Sequence, residues 1–235
     1  MCNDCSNQSV SRRNLLVGSL ALAAAGAPMS SAVAQTAEAA PVSPDEALQR
    51  LIDGNARYVA NAPINTDHSV GRAERAAGQR PFAAIVSCSD SRVAPELLFD
   101  QGPGALFVVR VAGNFLNEDG IASLEYGAAV LGIKLIVVLG HSACGAVGAT
   151  ISSIQDNVLP PGHLPSLVNA IRPAVYDAMR DGATDLLGAA TVQNAKSNAE
   201  RAQTEGPILS DLHGAGKLRA VAGVYDISTG QVGFL

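Results

Sequence analysis

The sequence predicts an α/β fold, with a parallel β-sheet of about four strands, a C-terminal edge strand, flanking helices and an N-terminal helical arm. Short apolar runs without polar alternation recur along the chain, which is typical of strands that are covered on both faces. Helical stretches separate these runs, and such alternation favours a parallel sheet. With 235 residues, 48% of them hydrophobic, the chain is long enough for the core of one domain of this kind.

The N-terminal segment, residues 1–34, has the features of a twin-arginine signal peptide. Arg12 and Arg13 precede a mildly apolar run, Leu15–Ala27, and the Ala-Val-Ala tripeptide that ends at Ala34 fits a cleavage site. The apolar run is shorter than the roughly 20 residues of a membrane-spanning helix, so we expect no stable membrane anchor. Export by the twin-arginine route, followed by cleavage at this site, would place the mature protein in the periplasm.

One domain is predicted after the signal peptide. Residues 35–42 form an Ala- and Pro-containing linker, and residues 43–235 form the domain. Ser43 and Pro44 are typical of a helix N-cap and first turn, so the helical arm is expected to begin there. A polar loop with a basic helical patch then extends from Asn61 to Arg80.

Strands and further helices follow in alternation. The four predicted parallel strands are Ala83–Ser87, Ala105–Val111, Leu135–Leu139 and Arg219–Tyr225, and the final edge strand lies within Asp226–Leu235. The predicted helices lie near Pro95–Phe99, Ile121–Leu131, Ala143–Ile154, Pro165–Met179 and Thr184–Gln203. Because the strands are apolar throughout, we expect these helices to cover both faces of the sheet.

Candidate metal ligands follow two of the predicted strands. Cys88 comes directly after the first strand. Gly140 ends the third strand, and His141 and Cys144 follow it within one helical turn, a spacing that can direct both side chains to one point. The carboxyl ends of parallel strands meet at one edge of a sheet. Two thiolates and one imidazole suit Zn²⁺, and three protein ligands leave the open position that is typical of a catalytic site.

A purely structural interpretation of these residues stays open at this point. A single buried Cys is more often a small apolar core residue than a ligand, and His141 alone could be a core histidine. The joint occurrence of Cys88, Cys144 and a histidine at strand ends favours the metal site. Cys2 and Cys5 lie within the signal peptide, and we interpret them as incidental.

Asp90 and Arg92 follow Cys88 closely and support a second hypothesis. An Arg beside an Asp keeps the carboxylate ionised, and the carboxylate can then orient a water molecule on a metal. Zinc itself lowers the pKa of such a water to about 7, from roughly 15.7 in bulk. The alternative is a surface ion pair that caps the next helix, and the spacing fits both.

The motifs Cys-Ser-Asp-Ser-Arg at 88–92 and His-Ser-Ala-Cys-Gly at 141–145 closely resemble those of the β-class carbonic anhydrases. The resemblance extends from about Ala47 to the C-terminus. It implies reversible hydration of carbon dioxide to bicarbonate and a proton, through attack of a zinc-bound hydroxide. The implied ligands of one Zn²⁺ per subunit are Cys88, His141 and Cys144, and the implied catalytic dyad is Asp90 and Arg92.

The resemblance is to the plant-like, open-site subgroup in particular. It implies that Gln79 hydrogen-bonds substrate, that Phe107 and Tyr126 line the substrate pocket, and that the backbone amide of Gly145 faces this pocket. In that subgroup the neighbouring subunit contributes part of the pocket, so a homodimer or a higher homo-oligomer is implied. Gln79 favours a site in which water, rather than Asp90, occupies the fourth position on zinc.

Other functions fit parts of the pattern. Ser142 after a strand is similar to a hydrolase nucleophile, but the second glycine of a G-x-S-x-G motif comes one residue late. A dinucleotide-binding site would need the order G-x-G-x-x-G, which is absent. A periplasmic zinc- or bicarbonate-binding protein would lack turnover, and a related enzyme could act on another small heterocumulene such as CS₂. The net charge of −5 argues against a nucleic acid as the main partner. His68, His163 and His213 are interpreted as surface residues, with proton transfer as the alternative role for His163 and His213.

Overall fold

The structure, a computed structural model, describes residues 42–235. The predicted signal peptide, and all of the predicted linker except Val42, lie outside these residues. The helices of the described part are α1 (Pro44–Val59), α2 (Arg72–Ala77), α3 (Pro95–Leu98), α4 (Glu118–Ala129), α5 (Gly145–Gln155), α6 (Leu164–Arg180), α7 (Leu186–Thr204) and α8 (Ile208–Gly214). The strands are β1 (Ala83–Ser87), β2 (Leu106–Arg110), β3 (Leu135–His141), β4 (Arg219–Tyr225) and β5 (Val232–Phe234). Among these helices, none has both the length and the apolar character that a membrane crossing needs.

The strands form one sheet in the order β2-β1-β3-β4-β5. β1 pairs in parallel with β2 and with β3, and β3 pairs in parallel with β4. β5 runs antiparallel to β4 and forms one edge of the sheet, while β2 forms the other. These pairings confirm the predicted α/β class, with four parallel strands and a C-terminal edge strand.

Helices cover both faces of the sheet, as the apolar strands predict. Every residue of β1 and β3 is buried. On one face Ile85 packs in a cluster with Leu51 of α1. On the other face Val86 packs in a cluster with Leu124 of α4 and Ala195 of α7. Burial of apolar side chains on both faces explains why polar residues do not alternate along these strands.

The helical arm α1 is fastened to the rest of the domain by a buried amide. The helix begins after Ser43, the predicted N-cap, which forms a capping box with Glu46. One turn before its end, the Asn55 amide donates to the carbonyl oxygens of Leu98 and Gly230, at 3.0 and 2.9 Å. Its Oδ1 accepts a hydrogen bond from the backbone N–H of Val232, at 2.9 Å. One side chain therefore connects α1 to α3 and to the β4–β5 hairpin.

The third strand is longer than predicted. Gly140 does not end it, because Gly140 pairs with Val224 and His141 pairs with Tyr225 in the ladder to β4. The glycine has a packing role instead. A Cβ at Gly140 would lie 3.0 Å from Cγ2 of Thr191 on α7, so the absence of a side chain lets this helix approach the strand.

Two helices also differ from the prediction. α4 begins at Glu118 rather than near Ile121, because the side chain of Asn117 accepts a hydrogen bond from the N–H of Gly120 and caps the helix. Helix α8 was not predicted from the sequence. Leu209 of this short helix is fully buried in the core between the sheet, α4 and α7. Tertiary packing therefore stabilises a helix that the local sequence pattern does not indicate.

Candidate metal centre

The predicted ligands lie at the carboxyl ends of the two central strands. The chain continues from β1 to β2 on one side, and from β3 to β4 on the other. Such a switch point between neighbouring strands opens a crevice in which open α/β sheets bind ligands. Cys88 follows β1 directly, and His141 is the last residue of β3. The topology alone therefore brings these two residues to the same crevice.

The side chains of Cys88, His141 and Cys144 converge there. One candidate ligand atom of each residue lies within 4.8 Å of the other two, and all three residues are buried. Neither cysteine forms a disulfide. Within residues 42–235, no other group of three His, Cys, Asp or Glu side chains has this arrangement.

His141 and Cys144 meet in a different way from the one predicted. They do not share a helical turn, because His141 ends β3 and Cys144 is the N-cap of α5. Ala143 between them has a φ of 53°, which turns the chain sharply from strand to helix. The prediction that the two side chains lie close together is confirmed. The prediction that one helical turn joins the two residues was wrong.

The ring of His141 is held in an orientation that suits a metal ligand. Its Nδ1 lies 2.9 Å from the carbonyl oxygen of Ser142, an acceptor, so Nδ1 carries the proton. The other nitrogen, Nε2, then presents a lone pair, and it is buried without a hydrogen-bond partner. Burial by itself lowers the pKa of His141, but the nearby Cys88 sulfur and the Ser142 carbonyl outweigh it and raise this pKa. A metal ion would give Nε2 the partner that it lacks.

The two thiols influence each other's ionisation. The side chain of Cys144 is the main reason that the pKa of Cys88 falls to about 4. The Gly113 N–H, 3.2 Å from the Cys88 sulfur, lowers this pKa further. The pKa of Cys144 is raised, because loss of its proton would place a second negative charge beside Cys88 and because the group is buried. A divalent cation would remove the repulsion between two thiolates, so the donor set fits Zn²⁺.

Asp90 and Arg92 form a two-point ion pair beside this cluster. Arg92 donates from Nε to Oδ1 of Asp90 at 2.9 Å and from Nη2 to Oδ2 at 2.7 Å. These hydrogen bonds hold the pKa of the Asp90 carboxyl well below its usual range. The alternative role as a helix cap is wrong, because the N-cap of α3 is Ala94 and it receives no side-chain hydrogen bond. Oδ2 of Asp90 lies 3.9 Å from Nε2 of His141, so an ionised carboxylate adjoins the cluster.

Arg110, for which no role was predicted, supports the loop that carries Cys88 and Asp90. It ends β2 opposite Ser87 of β1. Its Nε donates to the carbonyl oxygen of Cys88 at 2.9 Å, and its Nη2 donates to that of Asp90 at 2.8 Å. The sequence signal was a charged residue at the end of an otherwise apolar strand. The guanidinium group fixes the backbone on both sides of Ser89.

Of the residues predicted to contact substrate, only some lie near the three candidate metal ligands of the same chain. Gly145, the first residue of α5, adjoins Cys144 and has open space where a Cβ would lie. Phe107 pairs with Ala84, near the start of β1, and its ring centroid lies 6.4 Å from that of Tyr126. Gln79 is exposed and precedes β1, at the opposite end of this strand from the metal cluster.

The serine next to His141 has a structural partner. Oγ of Ser142 accepts a hydrogen bond from the backbone N–H of Ile227, at 3.0 Å. The imidazole contacts the carbonyl oxygen of Ser142 rather than its hydroxyl, so the ring is not placed to take a proton from Oγ. The arrangement does not support a serine hydrolase.

Comparisons with known proteins show the family of the chain. A family model described as carbonic anhydrase matches residues 83–232. Carbonic anhydrase 2 of Mycobacterium tuberculosis is 47% identical over 140 residues, which cover 59% of this chain and 68% of the relative. The carbonic anhydrase of Mycolicibacterium smegmatis is 36% identical over 190 residues, covering 80% and 92% of the two chains. The Coccomyxa β-carbonic anhydrase in complex with acetazolamide has a TM-score of 0.62 at 27% identity, covering 80% of this chain and 86% of that one. The chain thus belongs to the β-carbonic anhydrase family.

Proposed function

We propose that this chain catalyses the reversible hydration of carbon dioxide to bicarbonate and a proton, with one zinc ion per subunit. The observation that carries the proposal is the convergence of Cys88, His141 and Cys144 beside an ionised Asp90. This donor set suits a zinc ion with one position left for solvent or substrate. Membership of the β-carbonic anhydrase family supports the same chemistry.

The residues of this chain then have distinct roles. Zinc held by Cys88, His141 and Cys144 would supply a Lewis acid that lowers the pKa of a water molecule to about 7, from roughly 15.7 in bulk. Asp90 accepts hydrogen bonds but donates none while it is ionised, so it orients a proton of the attacking water toward itself. Arg92 keeps the carboxylate ionised and fixes its plane.

An open fourth position, as in the plant-like subgroup, is part of the proposal. Both oxygens of Asp90 already accept hydrogen bonds from Arg92. Movement of Asp90 onto the metal would break these bonds and leave the guanidinium group without its carboxylate. A crystal structure of the zinc-loaded protein near neutral pH tests this point. Water in the fourth position would support the open site, and an oxygen of Asp90 there would contradict it.

The proposed assembly is a homodimer or a higher homo-oligomer. Phe107 lies on the edge strand β2, and Tyr126 beside it is 47% exposed. In this proposal Phe107, Tyr126 and Gln79 line the substrate pocket of a neighbouring subunit, and the amide of Gly145 faces the same pocket. Light scattering after size exclusion measures the assembly. A monomer with full activity would contradict the shared pocket.

We also propose that residues 1–34 direct export by the twin-arginine route and that residues 43–235 form the catalytic domain after the linker at 35–42. The support is the Arg12-Arg13 pair before an apolar run and the small residues up to Ala34. Fractionation of a Gram-negative host tests the route. The protein should reach the periplasm with Gln35 at its N-terminus, and replacement of both arginines by lysine should keep it in the cytoplasm. If the variant with both arginines replaced still reaches the periplasm, the proposed twin-arginine route is contradicted.

Stopped-flow measurement of CO₂ hydration tests the function itself. Zinc-loaded protein should accelerate hydration, and the metal-free protein should not. If the zinc-loaded protein is inactive above pH 8, the proposal is contradicted, and the result would favour a zinc-binding protein without catalytic activity. Turnover of CS₂ without turnover of CO₂ would instead identify another small heterocumulene as the substrate.

A further inference from the structure

Helix α7 carries a row of polar side chains that are buried. Asn194 is 1% exposed and Asn198 is 8% exposed, although both lie in the middle of a helix. Burial of an amide costs free energy unless its donors and acceptors are paired. The positions are four residues apart, so they lie on the same face of the helix. This face must therefore have polar partners elsewhere in the fold.

The partners are backbone groups of the segment between β2 and α4. Nδ2 of Asn194 donates to the carbonyl oxygen of Gly113 at 2.8 Å. Oδ1 of Asn198 accepts from the N–H of Leu116 at 2.8 Å. One turn further on, Nη1 of Arg201 donates to the carbonyl oxygen of Leu116 at 2.7 Å. Three side chains of one helix thus hold both ends of the segment 113–116.

The two amides also fix one another. Nδ2 of Asn198 donates to the backbone oxygen of Asn194 at 2.9 Å and approaches its Oδ1 at 3.2 Å. Because Oδ1 of Asn194 faces a donor, its Nδ2 must face the Gly113 carbonyl. The orientation of the Asn194 amide is therefore set by Asn198 rather than left free.

The segment that these side chains hold reaches a proposed zinc ligand. The backbone N–H of Gly113 donates to Sγ of Cys88 at 3.2 Å. Gly113 has a φ of 88°, and a Cβ here would lie 2.5 Å from Cδ1 of Ile171. Glycine is required for both reasons. The N–H therefore points at the sulfur only while the backbone around Gly113 keeps this unusual conformation.

We propose that Asn194 is a positioning residue for the metal centre, and that it acts through Gly113 on the sulfur of Cys88. A hydrogen bond to a thiolate ligand withdraws charge from the sulfur and fixes its direction, so it tunes both metal affinity and metal acidity. Asn194 never touches the metal or the substrate. The inference rests on the proposed zinc ligands. It adds to the metal centre the residue Asn194, which lies 106 positions from Cys88 along the chain.

A merely structural role for Asn194 is the competing explanation, and Asn55 is the matched control. Asn55 is also a buried helical amide that donates to backbone carbonyl oxygens, but its partners belong to α3 and the β4–β5 hairpin. Asn55→Ala should therefore lower stability about as much as Asn194→Ala does. It should leave the surroundings of Cys88 unchanged.

Nuclear magnetic resonance of the ¹¹³Cd-loaded protein tests the proposal. The wild type should show scalar coupling between cadmium and the amide proton of Gly113, transmitted through the sulfur. The coupling should be lost in Asn194→Ala and in the near-isosteric Asn194→Asp, and kept in Asn55→Ala. Both Asn194 variants should also bind zinc about tenfold more weakly than the wild type in a chelator competition.

Each other outcome would overturn the inference. If the wild type binds cadmium but shows no coupling at Gly113, the hydrogen bond from Gly113 to the Cys88 sulfur is absent. This measurement does not depend on whether a variant folds. Unchanged coupling and zinc affinity in the folded Asn194 variants would remove the positioning role. An equal loss of coupling and zinc affinity in Asn55→Ala would show that the effect reflects a general loss of stability rather than a positioning role of Asn194. Failure of the wild type to bind cadmium or zinc would overturn the proposed metal centre as well.

Discussion

Nε2 of His141 lies 3.9 Å from Oδ2 of Asp90, and that same oxygen accepts a hydrogen bond from Arg92. The imidazole comes from the end of β3 and the carboxylate from the loop after β1, so the pairing of these two strands sets the distance between them. A proposed metal ligand and the carboxylate proposed to orient the water are thus adjacent but not bonded. This leaves the carboxylate free to act on a molecule bound beside the imidazole.

The first prediction concerns Asp90→Asn. This variant should keep its zinc, because Asp90 is not one of the converging ligand groups. It should hydrate CO₂ about 100-fold more slowly or worse, since an amide is neutral and can donate toward the water as well as accept. Metal analysis and stopped-flow kinetics on the same sample measure both effects. Full activity, or loss of zinc, would contradict the assigned role.

The second prediction concerns Cys144→Ser. Replacement of the thiolate by a hydroxyl should remove zinc and activity together, because a serine hydroxyl is a poor zinc ligand near neutral pH. Ser142→Ala is the control from the same turn. It loses one hydrogen bond to Ile227 but should retain zinc and turnover. Cys144→Ser with a full complement of zinc would argue against the ligand set, and an inactive Ser142→Ala would revive a role for this hydroxyl.

Much of this site could be predicted from the sequence because its ligands follow strands that have a strong local signal. The apolar runs before Cys88 and His141 identify two parallel strands, whose carboxyl ends must meet. Arg110 and Asn194 could not be identified in this way. Their roles depend on backbone carbonyl groups that are far away in the chain, and the sequence does not encode which carbonyl a buried side chain meets. Gly140 was misjudged because a glycine that admits a neighbouring helix has the same sequence signal as one that ends a strand.

The third prediction concerns the pH dependence of stability through Asp100. Its side chain is 1% exposed and accepts hydrogen bonds from Arg57 and from the backbone N–H groups of Ile64 and Asn65. Burial alone would raise the pKa of Asp100, but these donors outweigh burial and lower it below its ordinary 3.8. A lowered folded-state pKa stabilises the protein above the ordinary value, and this contribution is lost as the pH falls through the lowered value.

Denaturant unfolding of Asp100→Asn tests this dependence. The variant should lose about 1–3 kcal/mol of unfolding free energy at pH 7, because buried donors lose a charged acceptor. The difference from the wild type should shrink as the pH falls below about 4, because the carboxyl is protonated there first in the unfolded chain and only at lower pH in the folded protein. Asp45→Asn is the control, since Asp45 is 86% exposed in its pair with Arg219 and should matter little. A difference for Asp100→Asn that grows toward low pH would contradict this account.

The fourth prediction compares two helical glycines. A Cβ at Gly54 of α1 would overlap the carbonyl oxygen of Phe99, which is backbone and cannot move aside. Gly54→Ala should therefore separate α1 from α3 and destabilise the domain strongly. A Cβ at Gly148 of α5 would meet nothing within 4 Å, so Gly148→Ala should stabilise the helix by about 0.5–1 kcal/mol. Thermal unfolding of both variants measures the contrast, and equal melting temperatures would contradict the close contact between α1 and α3.

X-ray absorption at the zinc edge of the purified wild-type protein tests the central claim most directly. The account predicts about one zinc per chain, with two sulfur neighbours at about 2.3 Å and two nitrogen or oxygen neighbours at about 2.0–2.1 Å. The sulfurs belong to Cys88 and Cys144, one nitrogen belongs to His141, and the last neighbour comes from solvent or substrate. A zinc-free protein, or a zinc ion without sulfur neighbours, would contradict the account.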